Sequence, residues 1–220
     1  MNPKEERLYL ILAALFTGSL VVSNLIANKF FSINLLGTTF LLSAGVIPYP
    51  LTFLVTDILS EVYGKKRASQ VVIGGFLASI LVIATLAIAD ITHAVTDSPV
   101  SDGTFHKVFG NSYRVIGASM IAYLIAQFLD IRIFHFWKKL TNGRHLWLRN
   151  NASTTISQLA DSTLVVCVLF WGVDGWPAEK MYSTIFDLWL FKVIIAFVDT
   201  PLFYLCAHWI PRFIKNTKEI

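Results

Sequence analysis

The sequence predicts an all-α, polytopic membrane protein: six transmembrane helices forming a single domain over residues 1–220, with both termini in the cytoplasm. Three observations predict it. Of the 220 residues, 55% are apolar and only 15% charged, whereas a soluble domain carries nearer a quarter charged residues. Apolar runs recur at the length, about 18 residues or more, that a helix needs to cross the hydrocarbon core. Lysines and arginines gather in alternate connections between those runs.

The first run, Leu8 to Ala27, is too long for a signal-peptide core and has no small-residue cleavage pattern, so it reads as a retained helix. Five more spans follow, over about 42–62, 69–90, 115–136, 153–172 and 188–210. The first connection is long and apolar, with Phe30, Phe31, Ile33, Leu35 and Leu36, and it is broken by Gly37, Gly45, Pro48 and Pro50. That pattern reads as an interfacial or re-entrant stretch. The loop over 91–111 carries no recognisable motif. Cys167 and Cys206 both fall inside apolar segments, where filling the core is the expected role rather than a disulfide or metal site.

Orientation follows from basic residues, which resist translocation when they flank a span. Lys4 and Arg7 precede the first span, Lys65, Lys66 and Arg67 follow the second, and Lys138, Lys139, Arg144 and Arg149 lie between the fourth and fifth. Arg212, Lys215 and Lys218 close the chain. The other face receives Lys29, Lys107, Arg114 and Lys180 together with Asp90, Asp97, Asp102, Asp174 and Glu179. Six spans alternate this charge at every connection. The pI of about 9.1 is accounted for by the cytoplasmic loops, which suit anionic lipid headgroups and call for no nucleic-acid partner.

Ionisable residues within spans cost several kcal/mol unless paired or facing a water-filled cavity, so each is a functional candidate. Asp57 and Glu61 lie in span two, Asp130 and Arg132 in span four, Asp161 in span five, and Lys192 and Asp199 in span six. At the rise of a helix, Asp57 and Asp130 are each about 12 Å from the lysine pair that follows them, Asp161 is about 18 Å from Arg149 and Asp199 about 20 Å from Arg212. All four belong near the bilayer midplane, where secondary transporters place substrate and coupling-ion sites. The equal spacing from Asp57 to Lys65 and from Asp130 to Lys138 also hints at an internal repeat.

Residues three, four or seven apart share a helix face. On that basis Asp57 aligns with Glu61, Gln127 with Tyr123 and Asp130, Thr154 and Gln158 with Asp161, and Lys192 with Asp199. Ser23 and Asn24 in span one, Thr52 and Thr56 in span two and Ser157 in span five extend the same polar surface. Structural pairing, for example Lys192 with Asp57 or Arg132 with Asp161, is the competing explanation. Five carboxylates against the two cations Arg132 and Lys192 leave some carboxylates to be protonated, hydrated or bound to solute. Glu61 and Arg132 also suit snorkelling to the interface. No motif for a nucleophile elbow, a zinc-binding helix or a phosphate loop occurs, and the five histidines are scattered, so neither catalysis, a cofactor nor a metal is expected.

The stretch from Pro50 through Thr52, Phe53, Thr56, Asp57, Ser60 and Glu61 to Gly64 resembles the second-span signature of the queuosine precursor transporters of the YhhQ type, the vitamin uptake transporter family. Three further stretches agree: Ser119 to Asp130 with Tyr123 and Gln127, Arg149 to Thr154 leading to Gln158 and Asp161, and Phe191-Lys192 with Asp199-Thr200-Pro201. The match runs over about residues 40–205, with Ser60 and Ser162 standing where threonine is expected.

The resemblance implies import of 7-cyano- and 7-aminomethyl-7-deazaguanine through a bacterial inner membrane. A guanine-like edge offers adjacent N–H donors that one carboxylate accepts together, while a glutamine amide serves the carbonyl. The expected substrate-binding set is Asn24, Phe53, Asp57, Glu61, Tyr123, Gln127, Asp130, Gln158, Asp161, Lys192 and Asp199. Within it, Asp57 or Asp130 takes the ring donors, Gln127 and Gln158 supply amides, and Phe53 and Tyr123 stack on the ring. Asp161 or Asp199 meets the aminomethyl cation, and Lys192 holds that carboxylate ionised in the empty site. An S-component-like bundle that captures substrate for an ATP-driven partner is the rival within transport, and an intramembrane enzyme using Asp130 and Asp161 the rival outside it. A homo-oligomer is compatible with the sequence, which fixes neither the oligomeric state nor the energy source.

Overall fold

The computed structural model describes residues 3–27, 29–35, 38–110, 113–172 and 175–215. Leu36, Gly37, Asp174 and Lys218, invoked above, lie outside the described residues. Helix α1 (Pro3–Ile26) opens with a proline and carries Glu5 and Glu6 in its first turn, both suited to a helix start. An antiparallel hairpin of β1 (Phe30–Leu35) and β2 (Thr38–Ser43) follows, pairing Phe30 with Ser43 through Leu35 with Thr38. The apolar connection thus satisfies its backbone groups by strand pairing rather than as an irregular re-entrant stretch, a requirement wherever water is scarce.

A 3₁₀ turn at Ala44–Val46, capped by the Ser43 hydroxyl, leads into α2 (Tyr49–Val62), whose Pro50 sits in the first turn where no helical N–H is lost. Gly64, with φ of 81°, makes the tight corner into α3 (Lys65–Ile91). Within the loop lies α4 (Asp102–Phe109), started by the Ser101 hydroxyl accepting from the Thr104 N–H. The long helices α5 (Tyr113–Leu140), α6 (Leu146–Phe170) and α7 (Ala178–Lys215) complete the chain.

Five helical segments among the described residues are long and apolar enough to cross a membrane: Pro3–Ile26, Ala44–Val62, Lys65–Ile91, Ser119–Leu140 and Ala178–Ile210. The protein is a mostly helical, polytopic membrane protein. Outward faces carry bare apolar side chains such as Leu10, Leu77, Leu81, Ile121 and Val198, which lipid covers. The interior is where the polar groups sit. The run expected at 153–172 falls within α6, whose Asn150, Asn151, Ser153, Thr154, Ser157, Gln158, Asp161 and Ser162 are all buried while Ile156, Leu159 and Val168 face outward. Its inward polar face is what keeps its mean apolarity below that of the other five.

Helix α2 is the hub, packed against α1, α3, α5 and α7 and buried at every position from Thr52 to Ser60. At one end of the bundle, the Tyr63 hydroxyl donates to the Glu5 carbonyl at 3.0 Å and the Tyr9 hydroxyl to the Arg67 carbonyl at 3.3 Å. The Tyr204 hydroxyl accepts the Trp147 N–H there at 2.9 Å. The hairpin, α4 and the Phe170 end of α6 occupy the other end.

Gly45 seats the hairpin on α1: its carbonyl accepts the Ser23 hydroxyl at 2.6 Å, and a Cβ there would lie 2.7 Å from the Ser23 carbonyl oxygen. Gly45→Ala is therefore expected to destabilise by about 1–3 kcal/mol, read as a lowered thermal midpoint in detergent. Gly18→Ala, inside α1 with nothing within 4 Å of the new methyl, should not lower the midpoint. Burial pushes the Tyr63 phenol up to about 12, Glu5 adding to the rise and Arg67 opposing it. The folded value exceeds the unfolded one, about 10, so this contribution is whole below pH 10 and disappears as pH climbs to 12. A spectrophotometric titration should show one phenol ionising near 12 that Tyr63→Phe removes.

Candidate functional site

Two adjoining chambers lie inside the bundle. The inner one, about 460 Å³ counted out to its mouth, is walled by Tyr49, Phe53 and Asp57 of α2, Asn150, Thr154 and Gln158 of α6, and Phe191, Lys192 and Asp199 of α7. The outer one, about 1520 Å³ counted out to its mouth, is bounded by Ser23 and Asn24 of α1, Tyr123 of α5, Asp161 of α6 and the hairpin residues Leu42 and Ser43. Val46, Tyr49, Phe191 and Lys192 border both. Asn150, Thr154 and Gln158 follow one another at four-residue intervals, which aligns them down one face of α6.

Lys192 forms the partition. Its ammonium lies 2.5 Å from Asp161 Oδ2, 3.4 Å from the Ser162 hydroxyl and 5.0 Å from the centre of the Tyr49 ring. Both members of the ion pair are largely buried, at 14% and 4% side-chain exposure. Tyr49 in turn packs on Phe53 at 5.4 Å and Tyr123 at 5.5 Å between ring centres, so three aromatic rings line one side.

Behind that wall lies a fully buried polar layer. The Gln127 amide donates to the Tyr123 hydroxyl at 2.8 Å and accepts from Thr56 at 3.1 Å. Asp130 accepts from the Ser157 hydroxyl at 3.1 Å and faces the Asp57 carboxyl at hydrogen-bonding range. No donor from the described chain reaches Asp57 Oδ1, Asp130 Oδ2, Asp161 Oδ1, Gln158 Oε1 or Asn150 Oδ1, all buried. The Tyr49 hydroxyl, which borders both chambers, is likewise buried without a partner, so the surface complements a solute rich in N–H groups that also carries an acceptor.

The expected residues separate into four groups. Phe53, Asp57, Gln158, Lys192 and Asp199 line the inner chamber, while Asn24, Tyr123 and Asp161 line the outer, joined by Lys192. Gln127 and Asp130 touch neither and stand directly behind Tyr123 and Asp57. Glu61 lies elsewhere, at the end of the bundle that holds the start of α1: its carboxylate meets Arg149 at 2.7 Å and Lys138 at 2.9 Å, tying α2 to α5 and α6. The pairings weighed from sequence are replaced by others, Lys192 with Asp161 and Arg149 with Glu61, and Arg132 is exposed on α5. Tyr49, Asn150 and Phe191 were not expected at the site, although Tyr49 stands four residues before Phe53 and Asn150 four before Thr154.

A family model described as "Putative vitamin uptake transporter" matches residues 43–206. The chain is 29% identical over 169 residues to a "Probable queuosine precursor transporter" of Bacillus subtilis, covering 76% of this chain and 72% of the relative. It is 25% identical over 178 residues to the "Queuosine precursor transporter" of Escherichia coli, covering 80% and 77%. A Haemophilus influenzae protein named "Probable queuosine precursor transporter" is 23% identical over 159 residues, covering 70% and 63%. No solved structure matches the chain.

Breaking a buried ion pair costs about 3–5 kcal/mol because one charge is stranded, whereas replacing both partners by neutral groups is close to neutral. Asp161→Asn should lower the thermal midpoint in detergent steeply, and adding Lys192→Met should recover most of the loss. An equal loss in the single and double variants would contradict the pairing.

Proposed function

We infer that this chain, which belongs to the vitamin uptake transporter family, imports queuosine precursors, chiefly 7-cyano- and 7-aminomethyl-7-deazaguanine, across a bacterial inner membrane. The observation that carries this reading is the set of buried acceptors without donors around the inner chamber, at Asp57, Gln158 and Asn150. The names of the relatives supply the solute class, and the acceptor surface fits it. In this reading α6 is the sixth span, its polar face turned to the solute. In the same reading the Tyr63 end, rich in basic residues, faces the cytoplasm together with both termini.

Asp57 accepts the adjacent ring and exocyclic N–H groups of the guanine-like edge, a two-point match that a carboxylate makes best when ionised. Gln158 donates its amide to the ring carbonyl. Tyr49 and Phe53 offer faces to the flat heterocycle. Asp161 with Lys192 and Asp199 receive the substituent at the seven position. Glu61, Arg149 and Lys138 close the cytoplasmic end below the solute. The chain works without a nucleotide-hydrolysing site of its own, and uptake by this chain alone in proteoliposomes separates it from a subunit that depends on an ATP-driven partner.

The direct test is a thermal-shift or calorimetric panel of purines and deazapurines on the detergent-solubilised protein. A ligand at a hundred times its Kd stabilises by about 2.7 kcal/mol, so the two deazaguanines should raise the midpoint and adenine should not. Asp57→Asn and Gln158→Ala are each expected to weaken binding by ten-fold or more, equivalent to at least about 1.4 kcal/mol. Absence of a shift with any deazaguanine overturns the assignment.

A further inference from the structure

We propose that the Asp57 and Asp130 carboxyl groups together carry one proton, and that this proton couples substrate import to the proton gradient. The proposal rests on the transport reading above and names its energy source. Asp57 on α2 is 3% exposed and Asp130 on α5 is 0% exposed, and the two carboxyls face each other. Each keeps one buried oxygen, Asp57 Oδ1 and Asp130 Oδ2, that no donor of the described chain reaches. Two like charges at this range in a low dielectric repel strongly, while a single proton between them turns the contact into a hydrogen bond.

The nearby cations are already engaged. Lys192 is held by Asp161, and Arg149 by Glu61 and the Gly143 carbonyl. From α7, Lys192 and Asp199 border the chamber that Asp57 lines; from α6 comes Asp161; from α5, beside Asp130 itself, Tyr123; and on α2, Tyr49 and Glu61 lie two turns before and one turn after Asp57. Helices α1 and α3 contribute Phe16, Leu20, Val71 and Val72 to the apolar cluster around Ile58 and Ile131.

The two aspartates have unequal access: Asp57 lines the inner chamber and Asp130 does not. Ser157 donates to Asp130 Oδ1, and the single proton bridges the facing oxygens of the two carboxyls, so that the pair as a whole keeps one negative charge. Asp57 presents that charge to the chamber it lines, where it accepts the N–H groups of the substrate. Substrate and proton therefore each favour the binding of the other, a reciprocity that linkage requires. Loss of the proton toward the cytoplasm leaves two adjacent negative charges, which repel and release both helix contact and substrate. One proton enters and leaves with each substrate molecule.

The experiment uses the full chain in proteoliposomes with labelled 7-cyano-7-deazaguanine, which carries no charge of its own, and with the membrane potential clamped. Wild type should accumulate substrate toward about ten-fold above equilibrium for one pH unit acid outside, the limit for one proton per substrate. A sodium gradient should drive none. In Asp130→Asn, whose amide N–H replaces the proton permanently, gradient-driven accumulation should collapse to simple equilibration while solute exchange falls less than ten-fold. Wild-type exchange that is indifferent to the pH gradient, accumulation driven by sodium, or full accumulation by Asp130→Asn each overturns the proposal. If Asp130→Asn does not assemble, the wild-type gradient arms decide alone. Absence of any deazaguanine exchange in wild type instead defeats the transport reading, and the coupling proposal with it.

Discussion

The constraint that shapes this molecule is that lipid offers no partner to a charge, so every ionised group within the bundle must find its counterpart inward. Helix α2 answers it by sitting between four other helices and burying Thr52, Thr56, Asp57 and Ser60 in their midst. The hydroxyls of Thr52 and Thr56 return to their own helix carbonyls, which leaves Asp57 as the group on that face with something to offer a solute. The usual polarity of a folded protein is reversed: leucines and isoleucines outside, acids and amides within.

Cations decide how the acids divide. Lys192 claims Asp161 and thereby separates the two chambers, while Arg149 and Lys138 claim Glu61 and knit α2, α5 and α6 together one turn beyond Asp57. Two links between α6 and α7, the Asn151 amide with the Thr200 hydroxyl at 3.0 Å and the Trp189 indole N–H to the Thr155 carbonyl at 3.0 Å, hold the remaining wall. Polar contacts thus do the aligning that helix-to-helix packing alone, without a hydrophobic drive in lipid, does poorly.

Much of this was legible in the sequence because apolar length and helical periodicity are local properties. Helices cover most of each expected run, some with ends extended by turns such as Leu146–Asn151. The run expected from residue 42, however, begins as β2 and a 3₁₀ turn, and its helix starts only at Tyr49. Depth arithmetic put Asp57, Asp130, Asp161 and Asp199 in the interior, and the structure brings Asp57 and Asp199 to one chamber, Asp161 to the next and Asp130 behind. What sequence could not supply was pairing across helices, which depends on rotation about each axis: Glu61 shares a face with Asp57, yet one turn along the helix brings it within reach of Arg149. The hairpin was hidden because Phe31, Ile33 and Leu35 alternate in a stretch too short and apolar to separate from an interfacial segment. Asn150 was overlooked because neighbouring Arg149 marked that turn as membrane boundary.

The partition between the chambers is one side chain thick. Tyr49 and Lys192 border both spaces, and a tethered ammonium clamped on Asp161 plugs the gap between them. Movement from one space to the other therefore has to part a short, sheltered ion pair. One lysine thus both divides the two spaces and ties α7 to α6.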